Sequence, residues 1–136
     1  MTEANTAAAP VEVMAYSEPG QLPAVRAFTR QHAQDLGLGP DDVESLVIAV
    51  SELATNTLQH TSGGGRVRIW AEHGQVVCDV VDGGPLRSLG RQMPAADAVR
   101  GRGLAIVERL CDQVDAIAGP DGTAVRLRFA LTPRTV

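Results

Sequence analysis

Residues 51–82, SELATNTLQHTSGGGRVRIWAEHGQVVCDVVD, contain the change of period on which the fold turns. In the first ten, and upstream of them as far as Asp41, the apolar residues Val43, Leu46, Val47, Val50, Ala54 and Leu58 recur at three and four positions. That is the spacing of one helix face, and it predicts a helix reaching about His60. The hydroxyl and glycine residues at 62–65 close it. The pattern then alternates: residues 66–70 and 76–81 read as the two strands of a hairpin, with His73-Gly74 at or near its turn.

Working outward, Leu22, Val25, Phe28, Thr29, Ala33 and Leu36 mark an earlier amphipathic helix over 22–36. Gly37 is its stop, and Asp41 or Asp42 is the expected N-cap of the helix that follows. Residues 11–15 read as a strand ended by the turn formers Ser17, Glu18, Pro19 and Gly20. Residues 1–10 are small, polar and without period, as in a disordered tail. Downstream, residues 82–100 hold two prolines and three glycines. This stretch is too long for an ordinary connection and reads as a functional loop. A short helix over 103–110 precedes strands over 114–118 and 124–130, joined by Gly119-Pro120-Asp121-Gly122, and 132–136 form a C-terminal tail. The order predicts a single α+β domain over 11–131. Its expected form is a two-layer α/β sandwich, with a mixed, mostly antiparallel sheet covered on one face by helices.

At 136 residues and 14.3 kDa the chain has the length of one domain. Its 44% hydrophobic and 21% charged residues set it apart from disordered chains. Aromatic residues make up only 3%, so the core must be aliphatic and stacking platforms for single-stranded nucleic acid are scarce. A net charge of −4 argues against a protein that wraps a polyanion, and no direct nucleic-acid partner is expected. All 12 basic residues are arginine, which excludes a Walker lysine, a Schiff base and a lysine general base. Cys78 and Cys111 make neither a CxxC nor a zinc spacing and read as buried reduced thiols. The N-terminal residues lack the cationic and apolar segments of a signal peptide, and no apolar run is long enough to span a bilayer. A cytoplasmic protein with no membrane partner is expected.

Chemistry concentrates at four places. Glu52, Asn56 and His60 are spaced by four on the second helix. A step of four advances the helix face by only about 40°, so they form a ridge away from the core stripe. A solvated face is the ordinary explanation of such a ridge. Ile48 continues it, however, and asparagine is a poor interior helix former. An amide oxygen and a nearby carboxylate also suit a site with a hard cation and a base. At 80–85, VVDGGP, Asp82 is delivered by a hydrophobic strand into a glycine turn. It could accept from an exocyclic amine while the missing side chains let a flat ring approach, although Asp-Gly is also ordinary turn chemistry. At 100–104, RGRGL leads into a helix with glycine backbone and two arginines, an arrangement that suits an anion. Thr123 follows Gly122 into the last strand, where its hydroxyl could face the same cavity.

In this order the four segments resemble the GHKL ATPase superfamily with its Bergerat fold, and within it the small anti-sigma-factor serine/threonine kinases. The resemblance spans roughly residues 20 to 130. SELATNTLQH is similar to the N box, VVDGGP to the first glycine box, RGRGLAIVERL to the second and GTAVRLRF to the closing strand. It implies an ATP-dependent protein kinase with magnesium as cofactor, partnered by a sigma factor and an anti-anti-sigma protein, with a homodimer compatible. Asn56 would coordinate magnesium and Glu52 would act as general base. Asp82 would bind the adenine amino group, with Gly84 giving the ring room and Thr123 assisting. Gly101 and Gly103 would bring backbone amides to the phosphates, with Arg100, Arg102 and Leu104 beside them and the loop from Pro85 as a lid. His60 would line the phosphate side, and Arg26 on the first helix would contact a partner.

Thr57 stands where the family usually has alanine, and Leu86 where a further glycine is common. Leu86 motivates an alternative reading, a catalytically weak ATP-binding module that controls a partner by binding alone. A metal-dependent hydrolase built on Glu52, His60 and His73 is a third reading, against which stands the lack of HExxH spacing.

Overall fold

The computed structural model describes residues 10–60, 63–82, 105–119 and 122–131, the side chain of His60 excepted. The expected N-terminal tail at 1–10 except Pro10, the tail at 132–136 and the loop from Gly83 onward lie outside the described residues.

Strand β1 (Glu12–Tyr16) leads through a 3-10 turn (Pro19–Gln21) into helix α1 (Leu22–Asp35). The Gln21 side chain ties this turn together, its Oε1 accepting from the amides of Ser17 at 2.7 Å and Glu18 at 3.1 Å. Helix α1 ends as its sequence predicts. Gly37 takes a φ of +97°, the Leu38 amide donates to Ala33 and the Gly37 amide to Gln34, and Leu38 is buried. These are the bonds of a Schellman stop.

Helix α2 (Pro40–His60) starts one residue earlier than Asp41. The expected aspartate N-cap is therefore not formed. Pro40 opens the helix, where its fixed φ fits and its missing N–H is not needed, while Asp41 and Asp42 sit in the first turn near the positive end of the dipole. Val43, Leu46, Val47, Val50 and Ala54 are buried as the stripe predicts, joined by Ala49 and Leu53. Arg30 crosses from α1 to Glu44 of α2 with two bonds of 2.9 Å.

Strands β2 (Gly65–Glu72) and β3 (Gln75–Asp82) form the hairpin. Its turn residues His73 and Gly74 both have positive φ, 50° and 75°, as a type I′ turn requires. Helix α3 (Ala105–Leu110), β4 (Gln113–Gly119) and β5 (Gly122–Ala130) complete the described elements. The strand order is β1-β2-β3-β5-β4, and every pairing among the described residues is antiparallel. Among the described residues this agrees with the expected mostly antiparallel sheet covered on one face by helices.

Alternation sorts the sheet into two faces. Val67, Ile69, Val76, Cys78, Val80, Val125, Leu127 and Phe129 pack with α1, α2 and α3 in one aliphatic core. On the opposite face Asp79 is fully buried beneath arginines: Arg68 reaches it at 2.7 Å, and Arg126 holds it with bonds of 2.7 and 2.9 Å. The Arg126 guanidinium also lies 5.2 Å from the Trp70 ring centroid.

Candidate functional site

One row of the sheet carries the strand-borne candidates. Tyr16 of β1 lies opposite Gly65 of β2, Gly65 opposite Asp82 of β3, and Asp82 opposite Thr123 of β5. Tyr16 belongs to the core under the helices. The row therefore faces α2 at the end of the sheet where β3 finishes and β5 begins.

The register brings Asp82 and Thr123 together although they are far apart in sequence. Thr123 is buried, and among the described residues its hydroxyl has no hydrogen-bond partner. Leaving such a group without any partner costs about 1–3 kcal/mol, and a hydroxyl beside a carboxylate offers both a donor and acceptors to a polar ligand. The observation fits a base with an exocyclic amine: the carboxylate accepts, and the hydroxyl can donate or accept.

The helix-borne candidates lie on α2. Glu52 and Asn56 are half-buried, one turn apart on the ridge. Thr57, next to Asn56, donates to the Leu53 carbonyl at 3.0 Å and lies close enough to the Tyr16 phenol to lower its pKa. This places the last turns of α2 against the Tyr16 to Thr123 row. Arg26 of α1 donates from Nη1 to Ser51 Oγ at 3.4 Å, beside the residue preceding Glu52. His60 ends α2, but its side chain lies outside the described residues, as do Gly84, Arg100, Gly101, Arg102, Gly103 and Leu104. Of the proposed glycine boxes, only residues 80–82 and the helix from Ala105 onward are described.

Tyr16 is a residue that sequence reading missed. Burial pushes its phenol up to about 12, with the Asp82 charge adding to the rise and Thr57 opposing it. No local pattern in EVMAYS points to this, since only the cross-strand register brings residue 16 to Asp82.

The hydrolase reading is corrected by the same register. His73 sits on the hairpin turn at the opposite end of β2 and β3 from Gly65 and Asp82, roughly 23 Å away along the strands. Among the described residues no group of three His, Cys, Asp or Glu side chains could hold a metal ion. Both cysteines are free and buried, as expected. Among the described residues no helix is long and apolar enough to cross a membrane.

An antiparallel sheet with helices on one face thus carries a carboxylate and a hydroxyl on adjacent strands, near the helix that bears Glu52 and Asn56. Residues 15–129 match the histidine kinase-like ATPase domain, and the chain belongs to that family. Among solved structures, the RsbU and RsbW domains of Rv1364c from Mycobacterium tuberculosis align over 90% of this chain. The TM-score is 0.66 and the sequence identity 24%. The match covers 32% of that longer chain, so this chain spans about a third of it. No curated protein shows significant similarity to the sequence.

Proposed function

We propose that the chain is an ATP-dependent protein serine/threonine kinase and anti-sigma factor, which sequesters a sigma factor and phosphorylates an anti-anti-sigma protein. The observation that carries the reading is the pairing of Asp82 with the buried, unpartnered Thr123 hydroxyl beside the end of α2. Membership of the ATPase family and the likeness in fold to a structure containing an RsbW domain support it.

In this reading Asp82 accepts from the adenine amino group and Thr123 completes its polar edge. Asn56 would hold magnesium through its amide oxygen, and magnesium when bound neutralises charge on the phosphates. Glu52 orients the serine or threonine hydroxyl of the protein substrate and accepts its proton as oxygen attacks the γ-phosphorus and ADP departs. His60, Gly84 and the segment from Arg100 to Leu104 enter on the strength of sequence alone, as the phosphate and ring surroundings. Arg26, which donates to Ser51 beside the start of this ridge, is assigned the partner contact on the strength of the resemblance. Since a sigma factor works with cytoplasmic polymerase, the proposed location is the cytoplasm.

Purified protein given labelled ATP, magnesium and an anti-anti-sigma partner should transfer phosphate to it. Glu52→Ala should lower transfer by at least 100-fold, as expected for loss of a general base, with ATP affinity kept within about twofold. Undiminished transfer by the variant would contradict the role of Glu52. ATP binding by the wild type with no transfer to any such partner would favour the regulatory module instead.

A further inference from the structure

The row that pairs Asp82 with Thr123 continues to the other side of the carboxylate. There the next strand carries Gly65, and the one beyond it Tyr16. Tyr16 is 3% exposed and Thr123 4%; the Thr123 hydroxyl has no hydrogen-bond partner among the described residues, and the Tyr16 phenol has the Thr57 side chain beside it but no partner in good hydrogen-bond geometry there. Two buried hydroxyls in one row, on either side of one carboxylate, call for a shared explanation.

Gly65 explains how the phenol comes to be there. A Cβ at position 65 would stand 2.9 Å from Tyr16 Oη and 3.2 Å from Cζ. The end of the tyrosine ring therefore occupies the space that any other residue at 65 would fill, one strand from Asp82. The Asp82 charge is felt at the phenol, which stays protonated, and so a donor, at neutral pH.

We propose that Tyr16 is a positioning residue for base recognition: its O–H donates through one bound water to the Asp82 carboxylate, orienting it toward the exocyclic amine of adenine. Buried waters occupy sites of this kind, where several otherwise unsatisfied polar groups converge. Gly65 is then the residue that gives the phenol its reach. The inference rests on the ATP-binding reading above and adds to it a residue outside the four sequence boxes.

The test is Tyr16→Phe, which removes the hydroxyl and keeps the ring. Wild type and variant are titrated with ATP and with ITP, in which a carbonyl replaces the amine, and each ligand-free protein is melted. The variant should lose five- to tenfold in ATP affinity, keep its ITP affinity, and melt within a few degrees of wild type, since the ring that fills the core is kept. Wild type that binds ATP, with a variant whose ATP affinity and ATP-to-ITP ratio are unchanged, would overturn the role of Tyr16 alone. Wild type that binds neither nucleotide would overturn the ATP reading and this inference with it.

Discussion

Tyr16, Cys78 and Cys111 are buried groups whose ionisation the folded chain resists. Burial is the main cause in each: the phenol rises from 10.0 to about 12, the Cys111 thiol from 9.0 to about 12, and the Cys78 thiol well above its ordinary 9.0. An acid whose folded pKa is raised contributes stability that is fully present below its unfolded value and is lost as pH climbs through the folded one. Stability should therefore hold to about pH 9 and fall steadily toward pH 12 as the unfolded chain ionises first. Two pKa units on Tyr16 alone correspond to about 3 kcal/mol. Urea unfolding from pH 8 to 11 should show the decline, and Tyr16→Phe should flatten its upper part; constant stability over that range would contradict it. At this scale the sequence was informative about chemistry and silent about partnership. Asp82 and Thr123 could be named from their local settings, at a strand end and a strand start. The Thr123 neighbour on β3, and the place of Tyr16 in the same row, depend on a register set by hairpin length and burial.

Among the elements, the hairpin and the two long helices were legible because their periods are unmixed. His73-Gly74 supplies the positive φ values of its turn, and the buried stripe of α2 follows its apolar spacing. The start of α2 was misjudged because capping preference favours Asp41 or Asp42, whereas Pro40 already suits the first helical position. Strand ends were also read short: β2 begins at Gly65, which in sequence looks like turn material. That glycine has a packing duty, since a Cβ there would collide with the Val81 carbonyl of β3 as well as with the Tyr16 phenol. Gly65→Ala should cost about 1–3 kcal/mol, the usual range for overfilling a packed site. Chemical denaturation is the measurement, and an unchanged midpoint would show that β2 and β3 can separate there without loss.

Over the whole molecule, the aliphatic composition and the absence of lysine take on a structural meaning. One core of valine, leucine and isoleucine holds three helices against one face of the sheet, leaving the site end to polar groups presented by β1, β3, β5 and α2. The opposite face carries its buried charge, Asp79, under two arginines, away from the candidate site. The fold class was readable from the order of periods, but the strand order was not, because β5 inserts between β3 and β4 and only long-range contacts decide that order. The central claim is that Asp82 reads adenine at the end of this sheet. Calorimetric titration of ATP with magnesium into wild type and Asp82→Asn tests it most directly, the variant keeping the size of the side chain and losing its charge. Saturable one-to-one binding by the wild type, weakened at least tenfold in a variant that melts within a few degrees of it, is the predicted result. Equal ATP affinity in the two proteins, or none in the wild type, would contradict it.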